Sequence, residues 1–351
     1  MKRTIRGVSG DITISEPEIY VNNEARNRSG HMSHALTEYA PGKVLDFNSN
    51  CSPLRLNGHA AYGWVEYRRS ADSGRSWGDV REFPYAKQAF IDGMFTVSVE
   101  KAVTCDDGTI VAFCLRNTPY HEICCEPWLT PTWVKSCDGG ETWSEARELS
   151  PFRGRIYDAV WHENAIYVLE FCNDAEVTFT GNRPEHVYRV FKSMDRGETF
   201  QDLGPVPMDT MGRGYGSMLF RPDGSLVLYA YNCNDECHLD TLLSGDCGKT
   251  WTAVSARTVA KGIRNPQTAF LNGTYILHGR AAGGKGFVFY TSADGLQWDE
   301  GYLFEAEKCS CYYSNNLPLL DPEGKARLLV QYSETYREAC VNVMHLWLDF
   351  V

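Results

Sequence analysis

A short pattern, Ser-x-Asp-x-Gly-x-Thr-Trp, recurs along this chain and constrains its fold more than any other feature of the sequence. The Asp side chain of such a turn can bond backbone N–H groups of the same turn, and the Gly adopts a backbone conformation that other residues resist. The aromatic residue would anchor the turn in a core between neighbouring sheets. Five copies occur, the last of them one residue shorter, at 70–77, 136–143, 193–200, 244–251 and 292–298. A turn repeated in this way indicates one supersecondary unit per repeat, which is typical of a β-propeller.

A second recurring signal is a turn that contains Gly or Asn and lies between two apolar runs. Six such turns are present, namely Pro41-Gly42, Asp107-Gly108, Glu163-Asn164, Asp223-Gly224, Asn272-Gly273 and Glu323-Gly324. Two apolar runs around such a turn predict a β-hairpin, and runs that are apolar at nearly every position predict strands covered on both faces. We therefore expect residues 1–351 to form one all-β domain, a six-bladed β-propeller of four-stranded antiparallel blades. The N-terminal run 12–20 would pair with the strand at 341–348 and close the ring.

Composition limits the partners and the location of the protein. The formal net charge of −11 argues against nonspecific binding to nucleic acid or to an anionic membrane. No stretch is apolar enough to span a membrane, and no apolar run follows the basic N-terminus, so we expect a cytoplasmic protein; a chain trimmed of a leader would look the same. The 13 cysteines lack metal-ligand spacing, and neither a metal nor a cofactor is predicted.

The repeated turn on six blades resembles the sialidase (neuraminidase) superfamily over essentially the whole chain. This resemblance implies a central funnel that holds a Tyr nucleophile, a Glu that activates it, an Asp acid/base and three arginines for a substrate carboxylate. Tyr313, followed by Ser314 and an apolar run, looks like the nucleophile, and Arg280 keeps the place of one arginine. Asn265 stands where the activating Glu belongs, and Met32 stands where another arginine belongs. A neutral amide does not take a proton from a phenol.

The funnel of such a ring collects the starts of the first strands and the ends of the second strands. The strand starts contribute His31, His34, Glu100, Arg155, Tyr157, Asp158, Arg213, Tyr215, Arg264, Asn265 and Tyr313. The strand ends contribute Asn48, Asn50, Arg116, Glu170, Tyr231, Arg280 and Glu334. From this set the predicted catalytic residues are Tyr313, Glu100, Asp158, Glu170 and His34. The predicted substrate-binding residues are Arg116, Arg213, Arg264, Arg280, Tyr215 and Asn265.

Several arginines on one face of an acidic protein favour an anionic ligand, because the guanidinium fork suits carboxylate and sulfate groups. The first interpretation is a sialidase-like glycoside hydrolase that removes a terminal acidic sugar, a sialic-acid relative or a uronic acid, from an oligosaccharide. Two alternatives stay open: a polysaccharide lyase that acts on uronate-containing glycans, and a non-catalytic carbohydrate-binding propeller. The expected partner is an acidic glycan rather than nucleic acid or membrane, and the sequence leaves open whether the chain forms a homo-oligomer.

Overall fold

The computed structural model of the protein describes residues 3–30, 32–54, 62–118, 129–173, 180–284, 286–304, 311–338 and 340–351. Over these ranges the strands form six antiparallel sheets arranged as a β-propeller, so the predicted all-β fold with six blades is confirmed. The helices of the described ranges are short, and none is long and apolar enough to cross a membrane.

Three strands and a short helix precede the first complete blade. They are β1 (Arg3–Arg6), β2 (Asp11–Ile14), β3 (Glu18–Val21) and α1 (Asn23–Arg26). Blade 1 consists of β4 (Leu36–Ala40), β5 (Lys43–Cys51), β6 (Gly63–Ser70) and β7 (Arg81–Glu82), and is followed by α2 (Pro84–Asp92). Blade 2 consists of β8 (Thr96–Thr104), β9 (Ile110–Asn117), β10 (Thr132–Ser136) and β11 (Arg147–Glu148).

The next three blades repeat this order of four strands. Blade 3 consists of β12 (Gly154–His162), β13 (Ala165–Cys172), β14 (Val187–Ser193) and β15 (Gln201–Pro205). Blade 4 consists of β16 (Arg213–Phe220), β17 (Leu226–Asn232), β18 (His238–Ser244) and β19 (Thr252–Thr258). Blade 5 consists of β20 (Arg264–Leu271), β21 (Thr274–Arg280), a 3₁₀ turn (Ala282–Gly284), β22 (Phe287–Ser292) and β23 (Tyr302–Phe304).

Blade 6 is built from both ends of the chain. Its C-terminal strands are β24 (Cys311–Leu320), β25 (Ala326–Arg337) and β26 (Cys340–Phe350). The N-terminal strand β2 pairs with β26, as predicted, so that Ile12 lies opposite Phe350. Strand β1 extends this sheet beyond β2, and β3 also pairs with β26, so the sheet has six strands rather than four.

Each anchored turn is closed by its own Ser and Asp. In the turn of blade 2, the Gly140 N–H donates to Ser136 Oγ (2.8 Å) and the Thr142 N–H donates to Asp138 Oδ1 (3.0 Å). The hydrogen bonds from Thr142 hold the pKa of Asp138 at about 2. Gly140 has a φ of 81°, a region that favours glycine. The Ser136 hydroxyl also donates to Asp138 Oδ1 (2.8 Å), and the same Ser–Gly and Ser–Asp hydrogen bonds recur in the other four turns.

The turns fasten each blade to the blade before it. The Trp143 ring packs edge-on against Phe83, with ring centroids 5.1 Å apart, and also contacts Phe47 of blade 1. The Tyr67 hydroxyl of blade 1 donates to the Gly140 carbonyl (2.8 Å) of the same turn. The hydrophobic cores lie between neighbouring sheets in this manner, and the five turn aromatics are half-buried at their outer margin.

A buried polar cluster joins blade 6 to blade 1. The imidazole of His345 lies 3.0 Å from Asp46 Oδ2 and 2.8 Å from Gln331 Oε1, and the Gln331 amide donates to the Phe47 carbonyl (2.8 Å). Asp46 and Gln331 are fully buried. The cluster therefore links the last blade to the first at the point where the ring closes.

The Trp143→Ala variant should lose about 3 kcal/mol of unfolding free energy, because it removes a large aromatic group from the seam between two blades. Urea denaturation measures this loss. The exposed Glu145 of the same segment provides the control, since Glu145→Ala should change stability by no more than about 0.5 kcal/mol. A Trp143→Ala protein as stable as the wild type would show that the turns do not anchor the blades.

The Asp46→Ala variant should be destabilised by about 3–5 kcal/mol, because it leaves His345 buried without its carboxylate partner. Chemical denaturation at pH 7 is the measurement, and Asp46→Asn is the matched control because the amide retains an acceptor oxygen. Equal stability of the Ala and Asn variants would argue against a structural role for this cluster in ring closure.

Candidate active site

A β-bulge lies near the start of the first strand in each of blades 2 to 6. In each blade the pairing of the first and second strands shifts register at this point. The residues skipped by the shifts are Glu100, Tyr157, Tyr215, Asn265 with Pro266, and 312–313. A bulge re-aims a side chain relative to the regular alternation of a strand. In blade 1 the corresponding segment precedes β4, where Ser33 has a φ of 62°.

These bulged residues meet in one central pocket to which all six blades contribute. The described residues that line it are Met32, Ser33, His34, Glu100, Lys101, Arg155, Tyr157, Tyr215, Gly216, Asn265, Gln267, Tyr313, Ser314 and Asn315. The structure therefore brings together the predicted residues Tyr313, Tyr215, Glu100, His34 and Asn265. His31, which the sequence also placed at this face, lies outside the described residues.

Two phenols face each other in this pocket. The hydroxyl oxygens of Tyr313 and Tyr215 lie 3.0 Å apart, within hydrogen-bond distance. The guanidinium carbon of Arg155 lies 5.1 Å from the ring centroid of Tyr313 and 5.6 Å from that of Tyr215. Tyr313 is half-buried, whereas Arg155 is only 3% exposed. Because Arg155 is shielded from water, its charge acts on both rings more strongly than a surface charge would.

Arg155 is held by Glu100 across the interface of blades 2 and 3. Its Nε (3.0 Å) and Nη2 (2.7 Å) both donate to the same oxygen, Glu100 Oε2. Burial raises the pKa of Glu100, and the adjacent guanidinium opposes that shift. Among the described residues, neither Arg155 Nη1 nor Glu100 Oε1 has a hydrogen-bond partner. Nη2 also lies 3.9 Å from the sulfur of Met32, so Arg155 reaches the residue where the resemblance placed an arginine.

A second buried ion pair forms the floor of the pocket. The Lys101 ammonium lies 3.1 Å from Asp158 Oδ1 and donates to Gln267 Oε1 (2.6 Å) and Asn315 Oδ1 (2.8 Å). The other oxygen of Asp158 accepts from the Met218 N–H (2.7 Å). Asp158, predicted as a catalytic acid, is thus engaged by the scaffold and is not among the described residues that line the pocket.

Two of the predicted substrate-binding arginines are held by nearby groups. Arg116 donates to the Thr130 carbonyl (2.7 Å) and to Glu148 Oε1 (2.8 Å). Arg213 donates to Asp240 Oδ2 (2.9 Å) and to the Met211 carbonyl. Both guanidinium groups are thus held within their own blades, and neither residue belongs to the described lining of the central pocket.

The other two predicted arginines lie at the ends of blade 5 strands. Arg264 lies directly opposite Arg280 in the ladder of β20 and β21, and its guanidinium carbon is 5.4 Å from the ring centroid of Tyr231. Arg264 comes directly before the bulge that contains Asn265. Neither Arg264 nor Arg280 belongs to the described lining of the central pocket. The expected convergence of four arginines on one pocket is therefore corrected: a single arginine, Arg155, lines it within the described ranges.

Glu170 also lies outside the described lining of the pocket. It is fully buried on β13, opposite Ile156 and Arg189. Burial raises its pKa to about 8. A carboxyl in this position is a buried group of the blade rather than a group that contacts a ligand in the central pocket.

The sequence-based prediction placed Arg155 and Tyr157 among the strand-start residues but assigned them no role, and it did not include Lys101. The segment from Gly154 to Tyr157 carried the available signal, since an Arg and a Tyr two residues apart begin an inner strand. No local sequence signal pointed to Lys101, because its partners come from blades 3, 5 and 6.

Comparison with known proteins supports the fold and leaves the activity unassigned. No family model and no curated protein sequence matches the chain. Among solved structures, it is similar to a protein of unknown function from Dyadobacter fermentans (TM-score 0.71, 14% identity, covering 97% of this chain and 99% of that one). It is also similar to the Hadza microbial sialidase Hz136 (TM-score 0.69, 15% identity, 94% and 67% covered). A third similar structure is the intramolecular trans-sialidase of Ruminococcus gnavus (TM-score 0.59, 12% identity, 95% and 97% covered). The chain therefore has the sialidase-type six-bladed propeller fold.

Replacing Glu170 by Gln should change how stability depends on pH. With a folded-state pKa of about 8 against an ordinary 4.5, the native protein binds this proton more tightly than the unfolded chain. The stabilisation is complete below about pH 4.5 and is lost as the pH rises towards 8. The substituted amide has no proton to lose. The free energy of unfolding of the variant, relative to that of the wild type, should therefore increase by up to about 1.4 kcal/mol per pH unit between pH 5 and 8.

Urea denaturation at pH 5 and pH 8 measures this trend, with the exposed Glu163→Gln on the same blade as the control. A stability difference between the Glu170→Gln variant and the wild type that does not change with pH would contradict the assignment.

Proposed function

We propose that the protein is a sialidase-like glycoside hydrolase that removes a terminal acidic sugar from an oligosaccharide. The observation that carries this proposal is the pair of phenols, Tyr313 and Tyr215, beside the buried Arg155 in the pocket where six blades meet. The likeness of the fold to sialidases adds support. A tyrosine nucleophile and an anion-binding arginine are two of the groups that such chemistry requires of a pocket.

Tyr313 is the proposed nucleophile. A phenol with its ordinary pKa of about 10 is a weak nucleophile at neutral pH unless a base or a positive charge assists it. The Arg155 guanidinium supplies that charge close to the ring of Tyr313. Attack of the Tyr313 oxygen on the anomeric carbon breaks the glycosidic bond, and water then hydrolyses the tyrosyl-linked sugar.

Two further roles complete the proposal. His34, in the wall of the pocket, is the candidate that carries a proton to the leaving oxygen. Arg155 would meet the substrate carboxylate through Nη1, while Glu100 fixes its other edge. A guanidinium held in this way is already oriented when the substrate arrives.

A specific observation also favours a lyase as the second candidate. Glu100 is the one carboxylate among the described lining residues, and it is bonded to Arg155. Elimination from a uronate needs an arginine to neutralise the substrate carboxylate and a Tyr or His to take the adjacent proton. It does not need the pair of protein carboxylates that most glycoside hydrolases use. Tyr313, His34 and Arg155 match these requirements.

A screen of defined acidic oligosaccharides, read by mass spectrometry, tests the proposed function. A hydrolase releases a free reducing sugar, and a lyase adds an unsaturated product that absorbs near about 235 nm. Measurable binding of an acidic glycan without any product would instead show a carbohydrate-binding propeller. Turnover of neutral glycans alone would overturn the acidic substrate class.

The Tyr313→Phe variant should lose turnover by at least about 10³-fold, a barrier increase of about 4 kcal/mol, while it still binds the substrate. Steady-state rates and calorimetric binding measure the two effects separately. Tyr302→Phe, in the outer strand of blade 5, is the control that removes a hydroxyl far from the pocket. Activity of Tyr313→Phe within about tenfold of the wild type would remove this phenol from the chemistry.

A further inference from the structure

The pocket has no carboxylate at the position where the resemblance places the group that activates the tyrosine. Asn265 occupies that position, lines the pocket and is 7% exposed. Its amide has no basic site for a phenolic proton. The Tyr313 hydroxyl nevertheless has a close partner, because the hydroxyl of Tyr215 lies 3.0 Å away.

We propose that Tyr215 is the positioning residue for Tyr313, and that the two phenols share one proton so that they ionise as a pair. When one phenol loses its proton, the other donates a hydrogen bond to the phenolate and stabilises it. Two groups coupled in this way release their protons in two steps that belong to the pair. The catalytic role of the two phenols rests on the proposed function, whereas the shared proton is a property of the protein without substrate.

The backbone of Tyr215 holds its ring in place for this role. Tyr215 has a φ of 47°, an uncommon value for an aromatic residue, and it is the residue skipped by the register shift between Gly214 and Gly216. A Cβ on Gly216 would lie 2.6 Å from Leu169 Cδ2, so the Leu169 side chain would have to shift to admit a larger residue beside the bulge. The ring also packs against Tyr157, with centroids 5.4 Å apart. Unusual backbone of this kind concentrates at functional sites.

The charges of blades 2 and 3 act on the pair in opposite directions. Arg155 favours the phenolate, whereas Glu100 and burial oppose it. The balance between the two charges is visible at the neighbouring Tyr157. Burial raises the pKa of Tyr157 most, and Arg155 lowers it more than Glu100 raises it. Tyr313 is half-buried, whereas Tyr157 is buried.

The remaining titratable groups around the pair come from the segment before blade 1, from the pocket floor and from blade 4. His34 enters from the segment before blade 1, and Lys101 at the floor is neutralised by Asp158. On the blade 4 side, the Tyr231 ring lies 6.1 Å from Tyr215 and its hydroxyl donates to Glu236. Arg155, by contrast, lies against the rings of both Tyr313 and Tyr215.

The reaction balances with the pair as the reacting unit. The pair first releases one proton to solvent and becomes a phenol–phenolate. The Tyr313 oxygen then forms a bond to the anomeric carbon and the glycosidic bond breaks. The leaving oxygen keeps the electron pair of that bond and takes a proton that His34 carries from water. Hydrolysis of the tyrosyl-linked sugar by water returns the phenolate. Tyr215 keeps its own proton throughout and donates it in a hydrogen bond whenever Tyr313 is an anion.

Titration of the free protein labelled with ¹³C at the tyrosine ζ-carbon tests the shared proton by NMR. Buried phenols such as Tyr188 and Tyr229, whose pKa burial raises well above the ordinary value, stay silent below pH 10. We expect the wild type to show an ionisation at least one pH unit below the ordinary phenol value of about 10. This early ionisation should be absent from Tyr313→Phe and also from Tyr215→Phe. The control Tyr231→Phe, which removes a phenol from the same neighbourhood, should retain it.

Two results would overturn the proposal. One is a wild-type protein in which no tyrosine ionises early. The other is an early ionisation that survives in Tyr215→Phe at an unchanged pH, in a variant whose circular dichroism and thermal midpoint show it to be folded. Loss of the early ionisation in both single variants of the pair supports the proposal.

A kinetic experiment separates this inference from the proposed function. If an acidic glycan is turned over, Tyr215→Phe should shift the rising limb of the kcat profile by at least one pH unit to the alkaline side, with KM unchanged. If the titration shows the shared proton while no glycan is turned over, the proposed function fails and the phenol pair stands. If turnover is found and its pH profile is the same in Tyr215→Phe, the positioning role fails and the proposed function stands.

Discussion

Pairing between the two ends of the chain is the constraint on which the rest of this structure depends. Strand β2 lies between β1 and β26, so that Ile12 and Phe350 are neighbours although they stand near opposite ends of the sequence. Pairing of β2 with β26 completes the last blade and closes the ring, and the sheet edges that remain in a propeller are short and protected. The His345–Asp46 contact adds a buried polar link at the same closure. Since each blade supplies part of the central pocket, the site exists only in the closed ring.

One local device, the β-bulge, builds that pocket. Regular strands alternate their side chains between the two faces of a blade and would direct few of them to the axis. The register shifts at the starts of five inner strands turn Glu100, Tyr157, Tyr215, Asn265 and Tyr313 away from that alternation. The same blade architecture can thus carry different chemistry when only the bulged residues change. Asn265 is an example, because the bulge of blade 5 brings a neutral amide rather than a carboxylate to the pocket.

Ion pairing decides which groups of the pocket can serve chemistry. Arg155 is bonded to Glu100 and Lys101 to Asp158, so the buried Arg155 and the half-buried Lys101 are each matched by an anion. A buried charge without a partner would be costly, which explains why these pairs persist. Beside these pairs the pocket is lined by the two tyrosines, Tyr313 and Tyr215, whose hydroxyl oxygens lie 3.0 Å apart. The proposed chemistry is therefore carried by phenols beside a fixed positive charge.

The sequence by itself determined the blade count and the ring closure, because turns and hairpins are local signals. The Ser136–Gly140 hydrogen bond, for example, is made within five consecutive residues. The same local signals placed Tyr313 and Tyr215 at strand starts. Only the tertiary structure decided which arginine serves the pocket. Arg116 and Arg213 are satisfied by acids across their own sheets, whereas Arg155 meets Glu100 from a different blade. Such contacts depend on how blades pack and on where each bulge falls, and neither is encoded in a short stretch of sequence.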